Sequence, residues 1–400
     1  MTTSSTQPKE CVTPTSRKLR ILHLLPSIQN GGAEKVAFDL AGRQRLAGHE
    51  LLIVSIAKLG PAPSWLRSCH GVWGDVRTLD WLLSYTSVSN LKGVRDRLQS
   101  VLNEFQPDVL HSHLWVADVV ASLSVVNSKT QHIAHIHNQE VWKDSRKWRH
   151  SLRRTLTRWL YRRSQTRFIA CSPAVKEYEK RVMGWPSEHI TVVRNSTDLE
   201  QFQPTTRSRS DRIRIGSAGW FIPRKGHLIL FEAVATLVSE NLNLELVLAG
   251  DGPLKGEYLK RASELGIADR VVLPGPVSDM ASFYHDIDIF ALPSYEEGLP
   301  LVVVEAMASG LCVVASALFG MQDIVQPEVT GLLFAPGDQV ELTHTLRRVV
   351  KDKEFSDRMG IAARKLVQEQ CSVKTASESV EQIYQTRVSE RMACPAPPSR

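Results

Sequence analysis

The sequence predicts an α/β fold: two doubly wound parallel-sheet domains that face each other across a cleft. Three observations predict it. Short apolar runs alternate with amphipathic stretches along most of the chain, and strand–helix–strand units at that pitch close into parallel sheets through right-handed crossovers. The alternation comes as two series, parted by the polar stretch TTRSRSDR at 205–212. The length of 400 residues is also more than one hydrophobic core comfortably serves.

Taken in order, residues 1–18 are rich in Ser, Thr, Pro and charge and are expected to form a disordered tail. The first domain is expected over 19–204. Its opening strand is LRILHLL, followed by the small-residue turn QNGGAE and an amphipathic helix through Ala47. ELLIVSI, DVLHSH, HIAHIH and RFIACS read as its further strands. After a linker at 205–212, the second domain is expected over 213–372, with IRIGSAG, LELVLAG, RVVLPG, DIFALPS and LCVVAS as strands. Helices fall near 226–240, 253–265 and 300–309. Residues 373–392 are expected to form a helix crossing back to the first domain, and 393–400 a second disordered tail.

Composition limits the function classes. An apolar content of 42% with 23% charged residues describes an ordinary soluble globular protein. The six cysteines are scattered without a Cys-x-x-Cys pair, which argues for a reducing compartment and against a structural zinc site. The first twenty residues lack an apolar signal core, and no apolar run of about 18 residues is present. A cytoplasmic protein is expected.

The segment EEGLPLVVVEAMASG places Glu297 and Glu305 eight residues apart across a Gly-Leu-Pro turn. Pro300 suits the start of a helix, where its missing N–H has no intrahelical partner. The turn before it then presents free backbone N–H groups at the positive end of the helix dipole, which suits a phosphate. Carboxylates beside a phosphate repel it, so the natural partners of Glu297 and Glu305 are neutral hydroxyls, as on a sugar. Gly31 and Gly32 directly follow the first strand and permit close backbone approach to a ligand; alone, such a pair is equally an ordinary turn. Arg224 and Lys225 follow the first strand of the second domain. There they suit a diphosphate, Arg as a fork and Lys as a point charge, or else form a solvated basic turn.

Read together, these segments resemble the retaining family 4 glycosyltransferases of the GT-B fold, whose two domains are Rossmann-like. The resemblance runs from about Ile21 to Tyr384. It is carried by GGAE at 31–34, His111 and His113, His137, ACSPAV at 170–175, NSTDLEQFQP at 195–204, PRKG at 223–226, AGDGP at 249–253 and PSYEEGLPLVVVEAMASG at 293–310, in the family's order. It implies that the first domain faces the acceptor and the second binds a nucleotide-sugar. Glu305 would hold ribose hydroxyls and Glu297 those of the transferred sugar, with the backbone N–H groups near Gly298 and Leu299 alongside. Lys225 matches the family's diphosphate lysine, and Gly32 the loop that closes over the phosphates from the other domain. His137 matches a histidine near the donor sugar and reacting centre, or is a satisfied histidine at a strand end. The segment around Val277 would hold the base through its backbone.

Three departures stand out. Gly219-Trp220 replaces the usual Gly-Arg, so Arg224 must supply the second phosphate cation or the donor is held less tightly. Asn195-Ser196-Thr197-Asp198 replaces Asn-Gly-Val-Asp and reads as packing at the interdomain crossing, and Cys312 stands where the family often has Pro. The Asp-x-Asp of Asp286-Ile287-Asp288 falls at the start of the strand DIFALPS, not at a carboxyl end where ligands bind. The resemblance therefore implies metal-independent transfer with retention by front-face substitution, no cofactor, and a UDP- or GDP-linked sugar as substrate. A nucleotide-sugar 2-epimerase of the same fold and a non-catalytic sugar-nucleotide binding protein are the alternatives. Cell-envelope or surface polysaccharide biosynthesis is the expected setting.

The least family-like stretch lies between Val141 and Arg167, where ten Lys or Arg meet one Asp. That local excess outweighs the net +7 of the whole chain. Trp148, Leu152, Leu156, Trp159 and Leu160 fall on one helical face, flanked by Arg149, Arg153, Arg154, Arg158 and Arg162. A basic amphipathic helix with tryptophan reads as a membrane-surface element that would serve a glycan or lipid-linked acceptor on the inner face of the plasma membrane. The other reading packs that face on the first domain. Nucleic acid is not expected, because no binding motif accompanies the charge.

Overall fold

Strand order is the feature that positions the site. In the computed structural model, residues 17–29, 31–60, 75–81, 91–138, 148–205 and 212–393 are described. The first domain runs β1 (Arg20–Leu25), α1 (Gly32–Leu46), β2 (Glu50–Ala57), β3 (Val76–Trp81), α2 (Leu91–Phe105), β4 (Val109–His113), α3 (Trp115–Val125), β5 (Gln131–Ile136), α4 (Trp148–Arg163), β6 (Arg167–Ala170), α5 (Pro173–Met183) and β7 (Ile190–Val192). The second runs β8 (Ile213–Ala218), α6 (Leu228–Ser239), β9 (Leu244–Ala249), α7 (Lys255–Glu264), β10 (Val271–Gly275), α8 (Met280–His285), β11 (Ile289–Leu292), α9 (Leu301–Ala308), β12 (Cys312–Ser316), α10 (Phe319–Gln322), β13 (Gly331–Phe334), α11 (Gln339–Lys351), α12 (Lys353–Gln370) and α13 (Val373–Ala393).

The sheets have the orders β3-β2-β1-β4-β5-β6-β7 and β10-β9-β8-β11-β12-β13. Neighbouring strands pair in parallel throughout. Each order reverses once, at β1/β4 and at β8/β11, and a crevice for ligands opens beyond the strand ends at such a reversal. Gly31 and Gly32 follow β1, His137 closely follows β5, and the loop with Glu297 follows β11. The sequence therefore delivers its candidate residues to the two switch points.

One face of the first sheet is covered by α1 and α13, with Ile21, Val36, Phe38, Leu40, Val380 and Tyr384 in a common apolar cluster. The other face is covered by α2 and α3. A larger cluster crosses between domains, joining Phe168, Met183, Trp185 and Phe202 to Leu299, Val303, Val304 and Leu311. The return crossing is tied down by its backbone: Thr197 N–H donates to Cys371 O at 2.9 Å, and Arg364 donates to the carbonyls of Leu199, Phe202 and Ala308. Thr197 thus does the packing work expected of its segment.

Three strands were not foreseen from the sequence. β3 is an edge strand with one fully buried residue, Leu79. β7 has 3 residues and β13 has 4, opening on Gly331. None has enough apolar residues to show a period. Of the expected tail, Arg17 and Lys18 are described, and Arg17 is held by Asp108 at 3.1 Å and by Gln385, which donates to its carbonyl at 2.7 Å. The rest of that tail, 206–211 of the linker and 394–400 lie outside the described residues.

Candidate active site

The Glu297 loop is built by glycine and proline. Pro300 caps α9 with φ −71° and ψ 126°, so the extended turn ends where the helix begins. Glu297 Oε1 accepts from Lys225 Nζ at 2.6 Å and from Ser294 Oγ at 2.7 Å. The carboxylate is therefore fixed by one cation and one hydroxyl on the floor of the second domain. Gly298 lies so close to the first domain that a Cβ there would stand 2.1 Å from the carbonyl oxygen of His137. Neither backbone can yield, which makes glycine obligatory. Asn195 adds a second interdomain tie, its Nδ2 donating to Leu299 O at 2.6 Å.

Glu305 sits one helical stretch further on, 3% exposed. Tyr284 Oη donates to its Oε2 at 3.0 Å. Lys35 Nζ, from α1 of the other domain, stands 3.9 Å from its Oε1 and donates to Asp39 at 2.7 Å. Burial pushes the Glu305 carboxyl up to about 7, while Lys35 and Tyr284 pull it the other way. Glu305 is thus a carboxyl shared between the domains, poised to change charge near neutrality.

Gly31 caps α1 in extended backbone, and Lys35 N–H donates to its carbonyl at 3.2 Å. The Glu34 carboxylate folds over Gly31, where a Cβ would stand 2.1 Å from its Oε2. Burial raises the Glu34 carboxyl to about 7. Gly32 faces Leu301 at the start of α9, 3.6 Å from an ideal Cβ position to the Leu301 Cβ. The glycine loop of one domain therefore meets the helix start of the other.

Lys225 and Arg224 lie in a short 3₁₀ turn, Pro223–Lys225. The Arg224 carbonyl accepts from Tyr295 N–H at 2.8 Å, and Lys225 lies over Gly219, whose φ is +152°. Trp220, where the family usually has Arg, is 58% exposed. Val277 is partly buried beyond β10, packed against the interdomain cluster. His137 is buried beside the Gly298 backbone; its carbonyl also accepts from Cys171 Sγ at 3.4 Å, and burial lowers its imidazole to about 4.

The structure gathers Gly31, Gly32, His137, Lys225, Glu297, Gly298, Leu299 and Glu305 around one interdomain seam. It does not bring the basic helix into that group. On α4 the expected apolar stripe is split: Leu160 and Tyr161 are buried, whereas Leu152, Leu156 and Trp159 are 52%, 56% and 58% exposed. Arg153 is not a surface cation. It shares the inward face of Thr157 and Tyr161, and its guanidinium lies 3.4 Å over the Trp115 ring. Arg158 caps α5, donating to Met183 O at 2.6 Å and Val182 O at 3.0 Å. Arg154 is partly buried and Arg162 exposed, while the side chains of Trp148 and Arg149 lie outside the described ones.

Lys35, Tyr284, Ser294 and Asn195 were not singled out as site residues from the sequence. Lys35 carries a local signal, as the residue after GGAE, and Ser294 lies three residues before the Glu297 it bonds; the contacts of Tyr284 and Asn195 exist only once distant segments fold together.

The comparisons with known proteins agree with this geometry. The model of the family described as Glycosyltransferase Family 4 matches residues 30–201, and that described as Glycosyl transferases group 1 matches residues 198–366. Glycogen synthase of Mycobacterium tuberculosis is 24% identical over 381 residues, 90% of this chain and 92% of that protein. Among solved structures, sucrose-phosphate synthase from Thermosynechococcus elongatus superposes with a TM-score of 0.79 at 21% identity, covering 93% of this chain and 100% of that one. HepE of Anabaena, solved in complex with UDP-glucose, gives 0.78 at 22% identity, covering 92% and 100%. With two family models in tandem along both domains and this architecture, the chain belongs to the family 4 glycosyltransferases and has the GT-B fold.

Proposed function

We propose that this glycosyltransferase of polysaccharide or glycoconjugate biosynthesis moves a sugar, with retention, from a UDP- or GDP-sugar to a glycan or lipid-linked acceptor of the cell envelope or cell surface. The observation that carries the reading is the interdomain seam itself. A cation paired with Glu297, a buried carboxyl at Glu305 and a glycine loop from the opposite domain converge there. In this reading Lys225 and Arg224 neutralise the diphosphate, Gly31 and Gly32 close over it, and backbone near Val277 holds the base. Glu305 accepts from ribose hydroxyls and Glu297 from the transferred sugar, with His137 beside the reacting centre.

The acceptor hydroxyl attacks the anomeric carbon on the face from which the phosphate leaves. The new glycosidic C–O bond forms as the C–O bond to phosphate breaks, and the hydroxyl proton passes to the departing phosphate oxygen. No protein nucleophile and no metal take part; the protein orients both partners and stabilises the leaving charge. HepE, solved with UDP-glucose, and another neighbour solved with UDP support a nucleotide-sugar of this kind. Incubation with UDP-, GDP- and ADP-sugars, with and without glycan acceptors, is the test. Transfer of sugar with the anomeric configuration kept supports the reading; isomerised nucleotide-sugar in the absence of acceptor would instead mark an epimerase.

The exposed Leu152, Leu156 and Trp159, beside exposed Arg162 and Arg163, support an anionic membrane surface as the place of the acceptor. No helix among the described residues is long and apolar enough to cross a membrane. Each basic residue near an anionic leaflet contributes roughly 1 kcal/mol. The protein should float with anionic vesicles and not with neutral ones, and Trp159→Ala should reduce that fraction; equal flotation with both would refute surface binding.

A further inference from the structure

The parallel register sets His23 opposite His111 and His113 opposite His135. Because strand side chains alternate between faces, His23, His111, His113 and His135 project from the same face of the sheet. His137, two residues beyond His135, continues the row. Their rings stack in sequence: His111 on His113 at 4.3 Å between centroids, His113 against His135 at 5.4 Å, and His135 on His137 at 4.2 Å. None is more than 9% exposed.

The hydrogen bonds fix the tautomers at one end. Gln44 Nε2 donates to Tyr384 Oη at 3.3 Å, so Gln44 Oε1 accepts from His23 Nε2 at 2.8 Å. His23 Nδ1 is then an acceptor, and His113 Nε2 donates to it at 3.1 Å. A lone pair is therefore left on His113 Nδ1, which faces His137 Nε2 at 3.1 Å. Beside this pair, both ring nitrogens of His135 are buried without a hydrogen-bond partner among the described residues. A buried imidazole with neither nitrogen satisfied is an unusual thing for a core to keep.

One nitrogen from each of His113, His135 and His137 lies within 4.8 Å of the other two. In a tetrahedral site with metal–nitrogen bonds of about 2.0–2.1 Å, ligand nitrogens stand about 3.4 Å apart. The His113–His137 pair is already near that spacing, and His135 has only to turn toward it. Burial holds all three imidazoles well below their usual range, in the neutral form that ligates metal. His113 bound through Nδ1 would keep its outward bond to His23 and Gln44, the usual support behind a metal-bound imidazole. An all-imidazole set suits zinc, cobalt, nickel or copper rather than magnesium or calcium.

We propose that His113, His135 and His137 form a binding site for one divalent transition-metal ion of the zinc class. The second trio, His23, His111 and His113, is the weaker candidate, since His23 and His111 are engaged by Gln44 and Tyr384. The ion takes no part in the transfer chemistry. Its consequence is that the imidazole of His137, whose backbone touches the Gly298 loop, is held to the metal.

The test is titration of the chelator-stripped, full-length protein with Co²⁺, followed by its visible absorption and by competition with Zn²⁺. One equivalent should give the intense bands of four-coordinate cobalt, and Zn²⁺ should remove them. His135→Ala should weaken binding by about 100-fold or more and Gln44→Leu by about 10-fold, the latter acting only through the supporting bond. Circular dichroism of each variant confirms the fold. No absorption beyond that of hydrated Co²⁺, or equal affinity in folded His135→Ala, overturns the site.

Discussion

Strands β8, β9 and β11 of the second sheet bury Ile215, Leu246, Leu248 and Ala291 in an apolar layer, whereas β1, β4 and β5 of the first bury His23, His111, His113 and His135. The second domain keeps its chemistry in loops beyond the strand ends. Lys225, Ser294 and Glu297 meet there on a largely apolar platform, in which Ser217 of β8 and Ser316 of β12 are small buried polar groups. The first domain places polar rings inside its sheet, where each must find a partner or go without. At the seam it offers mostly backbone, at His137 and Gly31, together with the cation of Lys35, which reaches Glu305. The difference shows two ways of making a site: a preformed cradle on a largely apolar support, and a closing surface whose own interior is chemically loaded.

The comparison breaks most sharply at Gly298. A methyl group there would meet His137 O at 2.1 Å, so Gly298→Ala should separate the loop from the first domain. Transfer should fall by about 100-fold or more, since small misplacements at a reacting centre are that costly. Measured kcat/KM near that of the wild type would mean that the close approach is not needed for turnover.

The two carboxyls should separate next. Glu297, fixed by Lys225 and Ser294, is assigned to the transferred sugar, so Glu297→Ala should depress kcat by about 100-fold with little change in donor affinity. Glu305→Ala should weaken donor binding by about 10-fold, the scale of one hydrogen bond to a charged group. Steady-state kinetics beside calorimetric titration of the donor distinguish them, and identical profiles would contradict the division of roles.

The smallest expected effect is in pH. Burial raises the Glu305 carboxyl from 4.5 to about 7, so between those values the folded protein holds a proton there that the unfolded chain does not. Its contribution to stability therefore declines as pH rises through this window. Hydroxyl recognition needs the carboxylate, so donor affinity should fall as pH drops below about 7 and level off within the roughly tenfold loss expected of Glu305→Ala. Glu34 titrates in the same range. Glu305→Gln should flatten the profile, and a slope that survives in that variant would assign it to Glu34 instead.

Much of this was legible in the sequence, for a physical reason. The switch-point loops are local: Gly31 and Gly32, Arg224 and Lys225, and Glu297 through Glu305 each lie within a few residues of a strand that an apolar run announces. Contacts between segments far apart were not legible. Lys35 reaches Glu305 and Asn195 holds Leu299 only after both domains close, and Tyr284 holds Glu305 only once α8 packs on α9 within the second domain. On α4 the amphipathic spacing was visible, but not which side would turn inward, because Trp115 offered Arg153 a ring to lie on. The histidines at 111, 113, 135 and 137 alternate plainly in the sequence, yet only the strand register aligns them with His23.

The central claim is that a nucleotide-sugar is held by its diphosphate at Lys225, in the seam between the domains. Calorimetric titration of UDP- and GDP-sugars into the wild type and Lys225→Met tests it most directly. Saturable binding of one of these sugars by the wild type, weakened about 100-fold in the variant, is the expected result, since one buried charge-assisted contact with a phosphate is worth about that much. Equal affinity in the two proteins, or no binding of any nucleotide-sugar by the wild type, would contradict it.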